Sequence, residues 1–450
     1  MAANFGGRFC WLLVCLYLAT GIVSYARRFP AKIVTVVPRP DGLRVITDSG
    51  PRGRNANEFN AAMATGVAIW LATFFLRPKH GYVSLTLLVA TVYATEPYRR
   101  WRLEQQISAI PETPIKPYEK LFFQRGISFI RDGVEAYHPK PTTEILNAVR
   151  RYGIDSIAVV PYGLYRQSEP EVTLGREAEE EALYVALIKV AHAQNIRVML
   201  KPQLWVMPGM FPGAIKIEDP AAKARWFDSY NRFILHWARI AEKGHADIFV
   251  VGTELEKLST DSAQWRNIVA RVRQVYKGPL TYAANQGPDF ERIDWWDSLD
   301  YIGLNEYYPL PDTLDFKVVI DKIHKVRERF PMPVLLTEVG FASVANSHRE
   351  PWSEPRRDPD FEHQKRCYEA LLKAFWHQPW FYGMYPWKLS AHGDVGPQDR
   401  SLTPWKKPAI DVLARYYRSS RPPDKPAPRA DSAGNAHPRG SNSSHRAESP

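Results

Sequence analysis

Residues 248–254, IFVVGTE, form a short β-branched run that stops on a carboxylate, and residues 333–341, PVLLTEVGF, repeat the pattern around Glu338. Apolar runs of this length read as strands of a parallel sheet covered on both faces. Six more share the character: RGISFI (125–130), SIAVVPY (156–162), RVMLKPQLW (197–205), LTYAAN (280–285), YIGLNEYY (301–308) and FYGMYPWKL (381–389). Amphipathic stretches separate them. The clearest, 221–243, sets Trp226, Tyr230, Phe233, Ile234, Trp237 and Ile240 three and four residues apart, on one helical face. Eight strand–helix units within residues 123–418 match a (β/α)8 TIM barrel, typically about 250 residues. A doubly wound open sheet is the alternative, weakened because no glycine-rich phosphate loop opens any helix.

The barrel reading assigns residues 118–418, and the flanks differ from it in kind. The chain of 450 residues carries a net charge of +11, but residues 1–104 hold 13 Lys and Arg against 5 Asp and Glu. The segment 105–418 holds 41 against 40 and is almost neutral. A nucleic-acid enzyme would carry its basic patch on the folded body, so no nucleic-acid partner is expected. Residues 9–26, FCWLLVCLYLATGIVSYA, are apolar and uncharged, with Arg8 before and Arg27 and Arg28 after. That length approaches the roughly 20 residues of a membrane span, and basic flanks fit a lipid surface. Segments 61–76 and 82–95 read either as a membrane hairpin or as buried helices. The expectation is an N-terminal membrane-associated helical region bearing a barrel outside the cytoplasm. Between these segments, IVTVVPRPDGLRVITD reads as two β pieces around a Pro-Asp-Gly turn. Residues 419–450, rich in Pro, Ser and charge, offer nothing to bury and read as a disordered tail.

In such a barrel the chemistry sits at the C-terminal ends of the strands. Glu254 and Glu338 end the fourth and seventh, three βα units apart, and so face each other across the mouth. A single strand-end glutamate as readily caps a helix or pairs with an arginine. Two facing carboxylates are what glycoside hydrolysis needs: one to protonate the leaving oxygen, one to attack the anomeric carbon. Three cysteines, Cys10, Cys15 and Cys367, allow no disulfide framework and no thiolate zinc site. The twelve histidines contain no H-x-x-x-H pair, and no G-x-S-x-G elbow is present. Neither a metal nor a cofactor is expected.

The segments VGTELEKL (251–258), YIGLNEYYPL (301–310), LLTEVGFAS (335–343) with Pro351-Trp352, Gly383 to Trp387 and KKPAIDVL (406–413), taken as an ordered set, resemble glycoside hydrolase family 113. This family of clan A retaining enzymes has β-mannanases as its known members. The resemblance implies Glu254 as acid/base, Glu338 as nucleophile, Tyr307 as the phenol bonded to the nucleophile, and Trp387 as the floor of the sugar subsite. It implies Lys201 as a cleft-lining position. Thr253 stands where many clan members have an asparagine that binds the sugar 2-hydroxyl. Glu256 and Glu306 read as bystanders. Trp205, Phe211 and Trp352, in the long segments 205–220 and 342–361, are candidates for further sugar contacts. The implied partner is a β-linked oligo- or polysaccharide; transfer to a second sugar is open to the same site. The rival reading is a non-catalytic glycan-binding barrel within an envelope polysaccharide export or assembly system, with no need of both glutamates.

Overall fold

The computed structural model describes residues 33–39 and 42–48 as backbone, and residues 101–131, 137–175, 181–207, 209–391, 393 and 395–419. Eight parallel strands close on themselves: β1 (Gln124–Ile130), β2 (Ser156–Val159), β3 (Arg197–Leu200), β4 (Ile248–Thr253), β5 (Leu280–Asn285), β6 (Ile302–Glu306), β7 (Val334–Val339) and β8 (Phe381–Pro386). Closure is the pairing of Gly383 and Met384 in β8 with Gln124 and Arg125 in β1. That pairing excludes the open sheet.

One helix follows each strand: α1 (Pro139–Arg150), α2 (Glu181–Ala193), α3 (Pro220–Gly244), α4 (Ser262–Val275), α5 (Pro288–Arg292), α6 (Lys317–Arg329), α7 (Phe361–Phe375) and α8 (Pro408–Tyr417). Helix α3 starts where Asp219 caps Ala222 N–H at 2.7 Å and Pro220 supplies a pre-set φ. It ends at His245, which adopts the left-handed conformation. Its six periodic apolar residues are all buried. Every residue of β4, β7 and β8 is buried, as covered parallel strands require. Alternate residues fill two cores. Ala158, Met199, Ile248, Val250, Ala283, Leu335 and Tyr385 pack together as one, and Ile157, Val159, Val198, Leu200, Phe249 and Val251 join the helices in the other.

Strands two and three are shorter than the sequence reading had them. Pro161 and Pro202 break both, since proline donates no ladder hydrogen bond. The chain then re-forms as Tyr162–Arg166 and Gln203–Met207, which pair in parallel, with Glu169–Leu174 added antiparallel. The segment from Trp205 therefore begins as a strand of a small accessory sheet rather than as a loop.

The two β pieces near the N-terminus pair antiparallel, Arg39 opposite Gly42. Segments 9–26, 61–76 and 82–95, and the tail beyond Ser419, lie outside the described residues. Among those described, no helix is long and apolar enough to cross a membrane.

Candidate active site

Both strand-end glutamates follow a one-residue shift in register. In β4, Val250 lies opposite Thr281 but Thr253 lies opposite Ala283. In β7, Leu336 lies opposite Leu304 but Glu338 lies opposite Asn305. An extra residue on one strand kinks it and re-aims the side chain that follows. Leu336 packs into the core shared with the helices, so simple alternation would send Glu338 to the helix side as well. The bulge turns it toward the strands across the barrel. Glu254, immediately after β4, takes the left-handed conformation at φ 53°. That conformation is uncommon outside glycine and costs of order 1 kcal/mol or more. Its N–H donates to Ala283 C=O at 2.9 Å. The next N–H, of Leu255, donates to the Tyr282 hydroxyl at 2.8 Å, and that hydroxyl lies 3.3 Å from Asp289 Oδ2. Gly252 has to be glycine, because a Cβ there would meet the Trp265 ring at 2.7 Å and the Tyr282 ring at 2.9 Å.

Glu338 is 5% exposed and held by three donors. The Lys201 ammonium, fully buried, and the Gln203 amide, at 2.8 Å, both donate to Oε1. The Tyr307 hydroxyl donates to Oε2 at 3.0 Å. Such a set suits a carboxylate anion. Lys201 and Gln203 flank Pro202, so the proline that ends β3 also delivers both donors to one carboxylate. Burial, and then the charge on Glu338, push the Tyr307 hydroxyl well above its usual value, so it remains a donor.

Glu254 has a single such partner: Asn305 Nδ2 donates to its Oε1 at 3.0 Å. The amide is oriented by Thr337, whose hydroxyl donates to Asn305 Oδ1 at 2.8 Å. Burial and the negative charge of Glu338 hold Glu254 well above the ordinary carboxylate range, against the opposing pull of Asn305 and Lys201. Asp289, behind it, is pushed up to about 7 by burial, less the effect of its hydrogen bonds. Two neighbouring carboxylates thus have divergent environments, one built for an anion and one for an acid.

The remaining predicted residues divide. Trp387 follows β8, half-buried, its N–H donating to Val339 C=O at 2.8 Å. Lys201 Nζ, which donates to Glu338, lies 5.1 Å from its ring centroid. Trp205 alternates with Gln203 on one face of the accessory sheet and is 45% exposed. Phe211 is exposed on the segment that follows, where a Cβ at Gly213 would meet the Phe211 ring and the Glu254 carbonyl oxygen. Trp352 is exposed on the β7–α7 loop.

Thr253 needs correction. It is 3% exposed and its hydroxyl donates to Pro202 C=O at 3.2 Å, so its hydrogen is held by the backbone rather than offered to a sugar. Glu306 is buried with Oε1 accepting from Tyr308 N–H at 3.2 Å, and Glu256 pairs with Lys257, so neither joins the pair. Asn305 and Gln203 were missed, although the bare sequence carried a signal: each lies two residues along a strand from a residue already singled out (Tyr307, Lys201).

A closed parallel barrel with two neighbouring glutamates of opposite character at its C-terminal end is the arrangement that glycoside hydrolysis calls for. The profile of Glycoside Hydrolase Family 113 matches residues 134–400, and the chain belongs to that family. It is accordingly a glycoside hydrolase, which removes the non-catalytic reading. No curated protein sequence matches. Among solved structures, the GH113 β-mannanase AaManA from Alicyclobacillus acidocaldarius, in complex with ManMIm, is 28% identical with a TM-score of 0.60, covering 66% of this chain and 97% of that one. A GH113 β-1,4-mannanase in complex form is 23% identical with a TM-score of 0.61, covering 67% of this chain and 100% of that one, and supports the fold.

Proposed function

We propose that this protein is a retaining glycosidase that cleaves a β-mannan-like glycan by double displacement. The observation that carries the reading is the unequal partnering of the two glutamates. Glu338 Oε2 or Oε1 attacks the anomeric carbon while Glu254 gives its proton to the departing glycosidic oxygen, and the old C–O bond breaks. The sugar is then an ester of Glu338. Water, or the hydroxyl of a second sugar, attacks that carbon as Glu254 takes back a proton, and Glu338 leaves as a carboxylate. Trp387 offers a flat apolar face to the C–H side of a pyranose beside the reacting carbon. Trp205 and Phe211 extend the apolar surface along the accessory sheet.

The apolar run 9–26 with its basic flanks supports retention at a membrane, and a polymeric glycan substrate supports an orientation outside the cytoplasm. A C-terminal reporter fusion active only in the cytoplasm would overturn that orientation. For the chemistry, the full chain in detergent is assayed on a panel of β-linked polysaccharides, with proton NMR of the first anomer released. Release of the β-anomer from a β-mannan is expected. First appearance of the α-anomer, or turnover confined to other linkages, refutes the mechanism or the substrate respectively.

A further inference from the structure

The long loop after the nucleophile's strand is fastened to α7 by a buried cluster that hydrolysis does not use. His348, in the short turn Ser347–Arg349, and His363 and Cys367, on α7, are 2%, 7% and 0% exposed. Four residues apart on one helix, His363 and Cys367 share a face. His348 Nδ1 lies 3.0 Å from His363 Nε2, and Cys367 Sγ lies 3.5 Å from that same nitrogen. One donor atom from each of the three falls within 4.8 Å of the others. Ligands bound at about 2.0–2.3 Å in a tetrahedral shell are roughly 3.3–3.8 Å apart. The nitrogen–sulfur separation of 3.5 Å lies in that range, and the two imidazole nitrogens, 3.0 Å apart, need to open by a few tenths of an ångström to share an ion. Behind His348, its Nε2 meets Asp312 Oδ1 at 3.0 Å, the carboxylate partner that fixes the tautomer of a metal-bound imidazole. The buried Ser347 hydroxyl, one residue from His348, is a hydrogen-bond partner of the Cys367 thiol and belongs to the same cluster.

We propose that His348 Nδ1, His363 Nε2 and Cys367 Sγ form a structural site for a zinc-like divalent ion that pins the β7–α7 loop to the barrel. Mixed nitrogen and thiolate donors select an ion of intermediate softness over magnesium or calcium. Binding displaces the thiol proton to solvent and leaves both imidazoles neutral. Arg366, exposed, has its guanidinium 3.3 Å from His363 Nδ1 and turns outward when that nitrogen carries the proton. The pinned loop carries Trp352 and follows Glu338 directly, so the ion acts on the shape of the cleft mouth and not on the reacting atoms. A mixed set drawn from a loop and a helix is why the sequence reading, which looked for thiolate sets and paired histidines, found no metal site.

The competing arrangement is a metal-free chain of hydrogen bonds from Arg366 through His363 and His348 to Asp312, in which the thiol is dispensable. The test uses the full chain in detergent, with zinc added and then removed by desalting, and metal counted by mass spectrometry. About one equivalent retained, and a lower melting temperature after a strong chelator, are expected. Cobalt(II) in place of zinc should give intense visible bands and a thiolate charge-transfer band in the near ultraviolet. Cys367→Ala should lose the charge-transfer band and most metal while keeping its circular dichroism; if it fails to fold, His348→Asn serves with the same expectation for metal content. A wild-type chain that keeps no zinc and gives no cobalt spectrum overturns the site. So does a Cys367→Ala variant that binds as well as wild type.

Discussion

Glu338 and Glu254 end equivalent strands, yet their surroundings are opposite. Glu338 is gripped by an ammonium, an amide and a phenol, all donors. Glu254 has one amide, a strained backbone and a partly exposed face, and its proton is held by burial and by the charge opposite. The comparison shows how one fold gives the same side chain an anion's surroundings at one strand end and an acid's at another: the difference lies in the count of donors and in the charge each glutamate sees, not in the residue. Each part of that contrast can be removed separately.

The largest effect should come from Glu338→Gln, which removes the proposed nucleophile and should lower turnover at least about a thousandfold on every substrate. It should also let Glu254 ionise at lower pH, because one cause of its upward shift is gone. Carbon-13 NMR titration of labelled glutamate reads this directly, and an unchanged titration would show that the pair is not electrostatically linked. Glu254→Gln should cost about 10²–10⁴-fold on glycans with poor leaving groups. It should cost much less for bond cleavage of activated aryl glycosides, whose leaving groups need no proton. Equal losses on both would mean that the roles are misassigned.

These two positions were legible because a covered parallel strand has a plain sequence form and a charge at its end breaks it. What sharpens them was not. The bulges in β4 and β7 arise from pairing with neighbouring strands, which no local pattern encodes. Asn305 looked like an ordinary polar strand residue until Glu254 was placed opposite it. Thr253 was misread for a related reason: a hydroxyl beside the acid was assumed to face the sugar, but it satisfies the carbonyl of Pro202. The proline breaks in strands two and three were visible in the sequence; the accessory sheet beyond them was not, since parallel pairing across a gap depends on the closed barrel.

Lys201→Met should act next, lowering turnover roughly 10–100-fold by leaving a buried carboxylate without its cation. The same change removes a charge that favours ionised Glu254, so the acid should hold its proton to higher pH. The basic limb of the kcat/KM profile should move upward; a downward move would contradict the charge argument. A smaller loss, about three- to tenfold, is expected from Tyr282→Phe. It strands the buried Leu255 N–H, at a cost of about 1–3 kcal/mol, and loosens the turn that aims Glu254. Because Tyr282 acts through the acid, the loss should fall on poor leaving groups and spare bond cleavage of activated ones. A merely structural residue would depress both alike.

Glu306 sharpens the contrast from outside the site. It neighbours Tyr307 in sequence yet is buried with no ion pair among the described residues, and burial pushes it up to about 8. Between its ordinary value of 4.5 and about 8, the folded chain keeps this proton while the unfolded chain has lost it. The folded state then binds more protons, so this group makes stability fall as pH rises through that window. Glu306→Gln removes the titration and should leave turnover within about twofold of wild type. Its unfolding free energy, from urea titrations, should approach that of wild type near pH 4.5 and exceed it by pH 8, by on the order of 1–3 kcal/mol. Glu254 and Asp289 share the same sign but are present in both proteins, so the difference curve isolates Glu306. A difference that does not change with pH would show that Glu306 is ionised in the fold. A buried carboxylate needs more than its burial to become an acid catalyst: Glu254 has an anion opposite and an opening to the substrate, and Glu306 has neither.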